Sequence, residues 1–271
     1  MSDLYIPKDS LNLKNITFPQ IRLGLQGAPG SGKTFSALTF PNPIVVDFDG
    51  GLVSHAGRDI PVIPFHSHEW MQTYAGGNFK ADAPGRQPSR HLALKHWLNS
   101  EGQKLSADQT LIIDSLTTLT NAMANYLDVH PFYTKNGQVD DFAPWAARID
   151  YYDELHTILK SLRCHVVMIT HETQVRDEKS GALLDKIAPL LQGKYIAQLK
   201  IHYNFWFRCV ALEQTKEING KKFKTGSEYW WQVRSDNQFD AKRGNLVIKD
   251  DVFLVKANYS IFKEFGSVSN T

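Results

Sequence analysis

An α/β fold with a mostly parallel sheet, extended by antiparallel strands near the C-terminus, is predicted by three features of this 271-residue chain. Between residues 21 and 171, short apolar runs alternate with segments of helical spacing, the pattern of parallel strands joined by helical crossovers. A glycine-rich turn, 27–34, separates the first apolar run from the first helical segment. From residue 199 the runs become aromatic and alternating, with Asn219-Gly220 and Thr225-Gly226 as turn signals, which reads as hairpin strands.

Residues 1–20 are polar, hold Pro7 and Pro19, and read as a tail. A single domain is expected over 21–271. The first strand is 21–25, and the helical segment after the turn, 35–40, stops before Pro41. Ile44-Val-Val-Asp-Phe-Asp-Gly-Gly reads as a buried strand running into a loop, and 62–65 as a further short strand. Residues 66–90 are rich in Gly, Pro, His and Arg without a period, hence loop. A helix over 91–105, a buried strand over 110–115 and a helix over 116–127 follow. A second loop spans 129–145. Ile149, Tyr152, Leu155, Ile158 and Leu159 mark a helix over 146–162. The run 165–170 is the next buried strand, followed by a polar loop over 172–185. Strands are expected over 199–212 and 229–233.

The composition is 42% hydrophobic and 21% charged, enough for one sizeable core. The net charge of +2 confines any nucleic-acid surface to local patches. Two cysteines, Cys164 and Cys209, stand beside strand-like runs and read as buried free thiols. The opening residues hold no apolar signal core, and no apolar run approaches the ~20 residues of a membrane span. A cytoplasmic protein without a membrane partner is the expectation. His66, His68, His91 and His96 lack the spacing of a zinc site.

The turn carries the chemistry. Gly27-Ala28-Pro29-Gly30-Ser31-Gly32-Lys33-Thr34 fits G-x-x-x-x-G-K-[ST]. Its glycines let backbone N–H groups point at phosphate oxygens. Lys33 places a charge on the β- and γ-phosphates, and Thr34 offers a hydroxyl to Mg²⁺. The helix opening at Phe35 adds its positive end. These nine residues are the expected nucleotide site, with ATP and Mg²⁺ as cofactors. Leu111-Ile-Ile-Asp114-Ser115 supplies an acid from a strand expected beside the strand of the turn, placed to hold Mg²⁺ with Thr34; an ordinary helix N-cap is the plainer alternative. Asp47 and Asp49 stand at a strand's carboxyl end, where ligands sit in open α/β sheets. Asp49 can polarise the water that attacks the γ-phosphate; a capped turn is the alternative. Asp47-Phe-Asp-Gly50 spells D-x-x-G, but it lies too close to the turn for a GTPase switch, and no N-K-x-D occurs. His171 ends the strand after 165–170, either as a γ-phosphate sensor or as a satisfied strand-end histidine.

In this order the motifs resemble the RecA-like recombinase core: the P-loop, an acidic Asp-x-Asp-Gly-Gly, Leu-Ile-Ile-Asp-Ser, a strand ending Thr-His, a polar loop and Gly193-Lys-Tyr-Ile-Ala-Gln-Leu. The short length, and Phe239-Asp-Ala-Lys-Arg-Gly, are similar to phage-encoded AAA-type nucleotide-binding ATPases, some of them short Sak-like single-strand annealing proteins. The resemblance covers roughly residues 20–262. It implies an ATPase in which Lys33 and Thr34 bind phosphate and Mg²⁺ and Asp114 is the Walker B acid. Asp49 falls where such cores carry a catalytic Glu, so slow hydrolysis is implied. His171 becomes the sensor coupling nucleotide to a DNA-facing loop. Lys242 and Arg243 become candidate fingers for a neighbouring subunit's nucleotide, with a solvated basic turn as the alternative. A homo-oligomer acting on single-stranded DNA, in recombination or annealing and with a single-strand binding protein as a further partner, is the implied function.

Two segments correspond to the DNA-facing loops. The first, 129–145, carries His130, Phe132, Tyr133, Lys135 and Trp145 beside Asp140 and Asp141; the second, 172–187, carries Arg176, Lys179 and Lys186 among acids. Rings stack on bases while cations hold phosphates. Tyr203, Phe205, Trp206 and Phe207 read instead as core, and Lys221-Lys-Phe-Lys as a basic hairpin tip. Two other functions fit the P-loop: a packaging or helicase-loading ATPase with a protein partner, and a small-molecule kinase. The kinase needs an arginine-rich lid that the sequence lacks.

Overall fold

A computed structural model describes residues 20–67, 89–129, 132–134, 136–140, 142–177, 179–191, 195–218, 221–244, 246–249 and 251–264. The expected tail apart from Gln20, most of the 66–90 loop, and His68, His130, Lys135, Asp141, Gly193 and the Asn219-Gly220 turn lie outside these residues. The elements are β1 (Arg22–Gly27), α1 (Lys33–Ala37), β2 (Pro43–Asp47), β3 (Val62–Ile63), α2 (Arg90–Ser100), β4 (Thr110–Asp114), α3 (Leu116–Val129), α4 (Ala143–Ser161), β5 (His165–Arg176), β6 (Leu183–Pro189), α5 (Ile196–Leu199), β7 (Phe205–Ile218), β8 (Lys221–Gln232), β9 (Leu254–Lys256) and α6 (Ser260–Glu264).

The strands form one sheet in the order β3-β2-β4-β5-β1-β7-β8-β9, with β6 paired to β5. From β3 to β7 every pairing is parallel, and β7–β8 and β8–β9 are antiparallel. The predicted class is the observed one. Alternate residues of the central strands face opposite cores, as period 2 requires. Leu23, Leu25, Val45, Ile112, Val167 and Ile169 pack on one side with α1 and α6. Val46, Leu111, Ile113, Val166 and Met168 pack on the other with α2, α3 and α4. Each fully buried aliphatic contributes about 1.5–3 kcal/mol relative to exposure. Tyr203, Phe205, Trp206 and Phe207 are all buried, so they pack the core. Gly24 makes room for this packing: a Cβ there would lie 2.0 Å from the Trp206 ring.

Three expectations are corrected. The strand ending at Asp114 is not beside the P-loop strand, because β5 lies between β4 and β1. The segment 172–185 is not a loop: β5 runs on to Arg176 and pairs antiparallel with β6. Mixed side chains hid this hairpin: β5 continues through Glu172, Thr173 and Gln174, and in β6 the exposed Leu183 and Leu184 share their faces with Asp185 and Lys186, so neither face gives a clean period 2. The loop after α3 ends earlier than expected, since α4 begins at Ala143 and includes Trp145. Within it, Tyr133 and Val139 form an isolated antiparallel bridge.

The parallel register decides where polar residues meet. Gly27 is level with His171, and Asp47 with Asp114. One carboxyl edge therefore receives the phosphate loop and the ends of β2, β4 and β5, where open α/β sheets hold ligands.

Candidate nucleotide site

The loop after β1 turns on glycines in the left-handed region: Gly30 has φ 75° and Gly32 φ 84°. Gly32 caps α1, and a Cβ on it would lie 2.2 Å from the Tyr229 ring. Any side chain at 32 would thus be strained by its backbone and blocked by a ring. Ala28, Pro29 and Gly30 face solvent at the loop's crest, while Ser31 and Lys33 are buried. The Lys33 ammonium donates to the carbonyls of Gly27 at 2.9 Å and Ala28 at 2.8 Å. Burial lowers its pKa, opposed by Cys209 and by the acids Asp114, Glu172 and Asp49. Ser31 Oγ is buried without a hydrogen-bond partner.

Asp114 is buried at the end of β4. Thr34 Oγ1 donates to its Oδ2 at 2.6 Å. Burial pushes its carboxyl up to about 6, against the Thr34 hydrogen bond and with Asp49 and Asp47 adding repulsion. Asp47 and Asp49, two residues apart, do different things. Asp47 Oδ1 accepts from the backbone N–H of Asp49 at 3.0 Å and of Gly50 at 2.8 Å, and its Oδ2 lies 3.2 Å from His66. Asp47 is therefore the capped turn. Asp49 turns the other way: its Oδ1 accepts from Ser115 Oγ at 2.9 Å, and its Oδ2 lies 3.1 Å from His171 Nε2. Burial opposes its ionisation, but hydrogen bonds from His171, Thr118 and Ser115 outweigh that and lower its pKa. The His171 N–H of the main chain donates to Thr117 Oγ1 at 3.0 Å, which ties β5 to the first turn of α3.

Lys33, Thr34, Asp114, Asp49 and His171 thus share one edge. Phe35, the next residue, is 39% exposed beside them. Lys242 and Arg243 do not join them. Lys242 pairs through its backbone with Trp206, and its ammonium donates to Lys200 O at 3.1 Å. It borders a cavity of about 360 Å³ that it shares with Arg22, at the amino end of β1. Arg243 Nη1 donates to Ile248 O at 3.3 Å. Neither reaches the P-loop of its own chain.

Sequence reading missed several neighbours. Ser115 and Thr118 hold Asp49, yet hydroxyls at a helix start read only as caps. Glu172 and Arg208 form a bidentate pair at 2.9 and 3.0 Å, joining β5 to β7 across β1. No local pattern links residues on two separate strands.

The donors suit the implied cofactors. Thr34 and Asp114 offer hard oxygens, as Mg²⁺ requires, and a divalent cation would relieve the cost of an ionised buried Asp114. The unpartnered Ser31 hydroxyl and the inward-bent loop suit phosphate oxygens. Among the described residues no cluster of His, Cys, Asp or Glu forms a separate metal site.

A family model described as an AAA domain matches residues 20–243. Among solved structures, the RadB recombinase is similar at 12% identity with a TM-score of 0.37, over 82% of this chain and 89% of that one. Nothing among the curated proteins matches.

Proposed function

The chain belongs to the AAA-domain family, with the core of an AAA-type P-loop ATPase, and we propose that it is an ATP-dependent switch that binds single-stranded DNA as a homo-oligomer, in recombination or annealing of the phage RecA-like, short Sak-like kind. The observation that carries this reading is the side-chain chain Ser115–Asp49–His171, which runs from the Walker B strand end to the strand that continues into the β5–β6 hairpin.

Lys33 would exchange its loop carbonyls for the β- and γ-phosphates. Thr34 and Asp114 would hold Mg²⁺, which supplies neutralisation of charge building on the phosphates. Asp49 would orient the attacking water and accept its proton. Its short side chain is already held at both oxygens, which supports slow basal hydrolysis. His171, moving from Asp49 to the terminal phosphate, would shift the root of the hairpin and so report nucleotide to a nucleic-acid surface. The loop between α3 and α4 and the first turns of α4 support that surface: Tyr133 is 64%, Phe142 84% and Trp145 51% exposed, and the Arg148 guanidinium lies 5.1 Å over the Trp145 ring. Exposed rings backed by a cation are what base stacking uses. On the hairpin, Arg176 and Lys186 are exposed. Lys242 stands away from its own loop, and to serve a neighbouring subunit its ammonium would leave the carbonyl of Lys200.

The test measures ATP turnover with and without single-stranded DNA, and DNA binding with and without a non-hydrolysable ATP analogue. Each ligand should strengthen the other, since coupling is reciprocal. Independence of the two sinks the switch. A stable protein complex with no DNA affinity at low salt would select the packaging or helicase-loading reading instead.

A further inference from the structure

We propose that the base of the bound nucleotide stacks on Phe35, between the Arg58 guanidinium and the Tyr229 ring, which makes these side chains a base-binding surface. The inference rests on the nucleotide reading above and extends it to the part of the ligand that the P-loop does not touch.

Phe35 follows Thr34 directly and leaves a large ring 39% exposed in the first turn of α1. Isolated exposed rings are common, but this one is accompanied. Arg58 Cζ stands 5.5 Å over it, and Tyr229 lies 5.1 Å away with the planes tilted by 45°. Arg58 comes from the segment between β2 and β3, and Tyr229 from β8. Three distant parts of the chain therefore converge on the Phe35 ring.

This ring cluster is continuous with the phosphate cradle, because the Tyr229 ring fills the space a side chain at Gly32 would need. The polar side chains Asp49, Asp114 and His171 all gather on the Lys33–Thr34 side. The terminal phosphate belongs with them, so the α-phosphate and nucleoside leave on the side where Phe35 begins. A base arriving there meets π-faces and a guanidinium, which bind by stacking and cation–π attraction. Such recognition scales with ring area, so purines are held more tightly than pyrimidines.

Calorimetry on the full chain with Mg²⁺ separates base from phosphate, using ATP, CTP and inorganic tripolyphosphate as probes. The wild type should bind ATP more tightly than CTP, and both more tightly than tripolyphosphate. Phe35→Ala should weaken ATP roughly tenfold or more, the scale of one lost stacking partner, and leave tripolyphosphate unchanged. Arg58→Ala, at an exposed position, should show the same pattern with a smaller loss. Equal losses for ATP and tripolyphosphate would mean that the ring only supports the loop, and would overturn the proposal; so would unchanged ATP affinity in both variants. A wild type that binds tripolyphosphate and ATP equally removes the base surface but keeps the phosphate site. One that binds neither refutes the nucleotide reading itself, and the base surface with it.

Discussion

The two ends of the same central strands handle polar groups in opposite ways. At the amino end, Arg22 donates to the carbonyls of Cys164 at 2.6 Å and Leu162 at 2.5 Å. Nearby, His156 Nδ1 lies 2.8 Å from Tyr152 O, which can only accept, so this nitrogen carries the proton. Its Nε2 then accepts from the Tyr203 hydroxyl at 3.0 Å. Tyr195 adds hydrogen-bonding contacts to His156 and His202. These groups are held by main-chain carbonyls and by phenols that are themselves buried. At the carboxyl end, Asp49 and Asp114 are held by hydroxyls and an imidazole, and the Asp49 side chain is 21% exposed. Such partners can be exchanged for phosphate, water or metal. The lesson is that the accessibility of a charged group's partners, more than the charge itself, separates a site from a scaffold.

The comparison breaks most readily at Lys33. Lys33→Ala should lower ATP affinity roughly a hundredfold or more, the loss of charge-assisted hydrogen bonds to phosphate, and move the melting temperature by only about 3 °C. Unchanged affinity in a titration would remove the site. Asp49→Asn should slow turnover on the order of a hundredfold while ATP affinity stays close to wild type; a steady-state rate equal to wild type would show that Asp49 takes no proton.

His156→Ala sharpens the contrast from the other side. Denaturant unfolding should show a loss of about 3 kcal/mol, from a cavity and orphaned phenols, with ATP affinity of the folded fraction unchanged. An affinity loss matching that of Lys33→Ala would abolish the distinction between the ends. The smallest effect per residue is pH dependence. Burial lowers His156 to about 3 and His91 to about 4. Both folded values are depressed below the ordinary value, so their stabilising effect is complete above pH 6.5 and is lost as pH falls. By pH 5 the unfolded chain holds protons that the native state refuses, which costs about 2 kcal/mol per histidine. Melting curves from pH 7.5 to 5 should show the fall, and His156→Gln should flatten roughly half of it; a flat wild-type profile would contradict the burial of both rings.

Much of this was legible in the residues alone. Glycine spacing with Lys33 and Thr34 announces a phosphate cradle, because only that backbone bend and those two side chains satisfy it. Apolar runs such as Val45-Val46 and Leu111-Ile-Ile mark buried parallel strands, and they carry Asp49 and Asp114 to a common edge. The hairpin β5–β6 was not legible, since apolar residues such as Leu183 and Leu184 and polar ones such as Asp185 and Lys186 mix on both of its faces. Nor was the division of labour between Asp47 and Asp49, which differ by two positions and share a residue type.

What the chain's local chemistry determined by itself was the loop, the class of fold and the edge at which polar groups collect, all of which follow from backbone constraint and side-chain period. Only the folded arrangement decided that β5 separates β4 from β1, that Ser115 and His171 grip Asp49, that Arg208 pairs with Glu172, and that Arg58 and Tyr229 flank Phe35. Those outcomes depend on packing between segments far apart in sequence, where sterics and burial choose neighbours that no short pattern encodes.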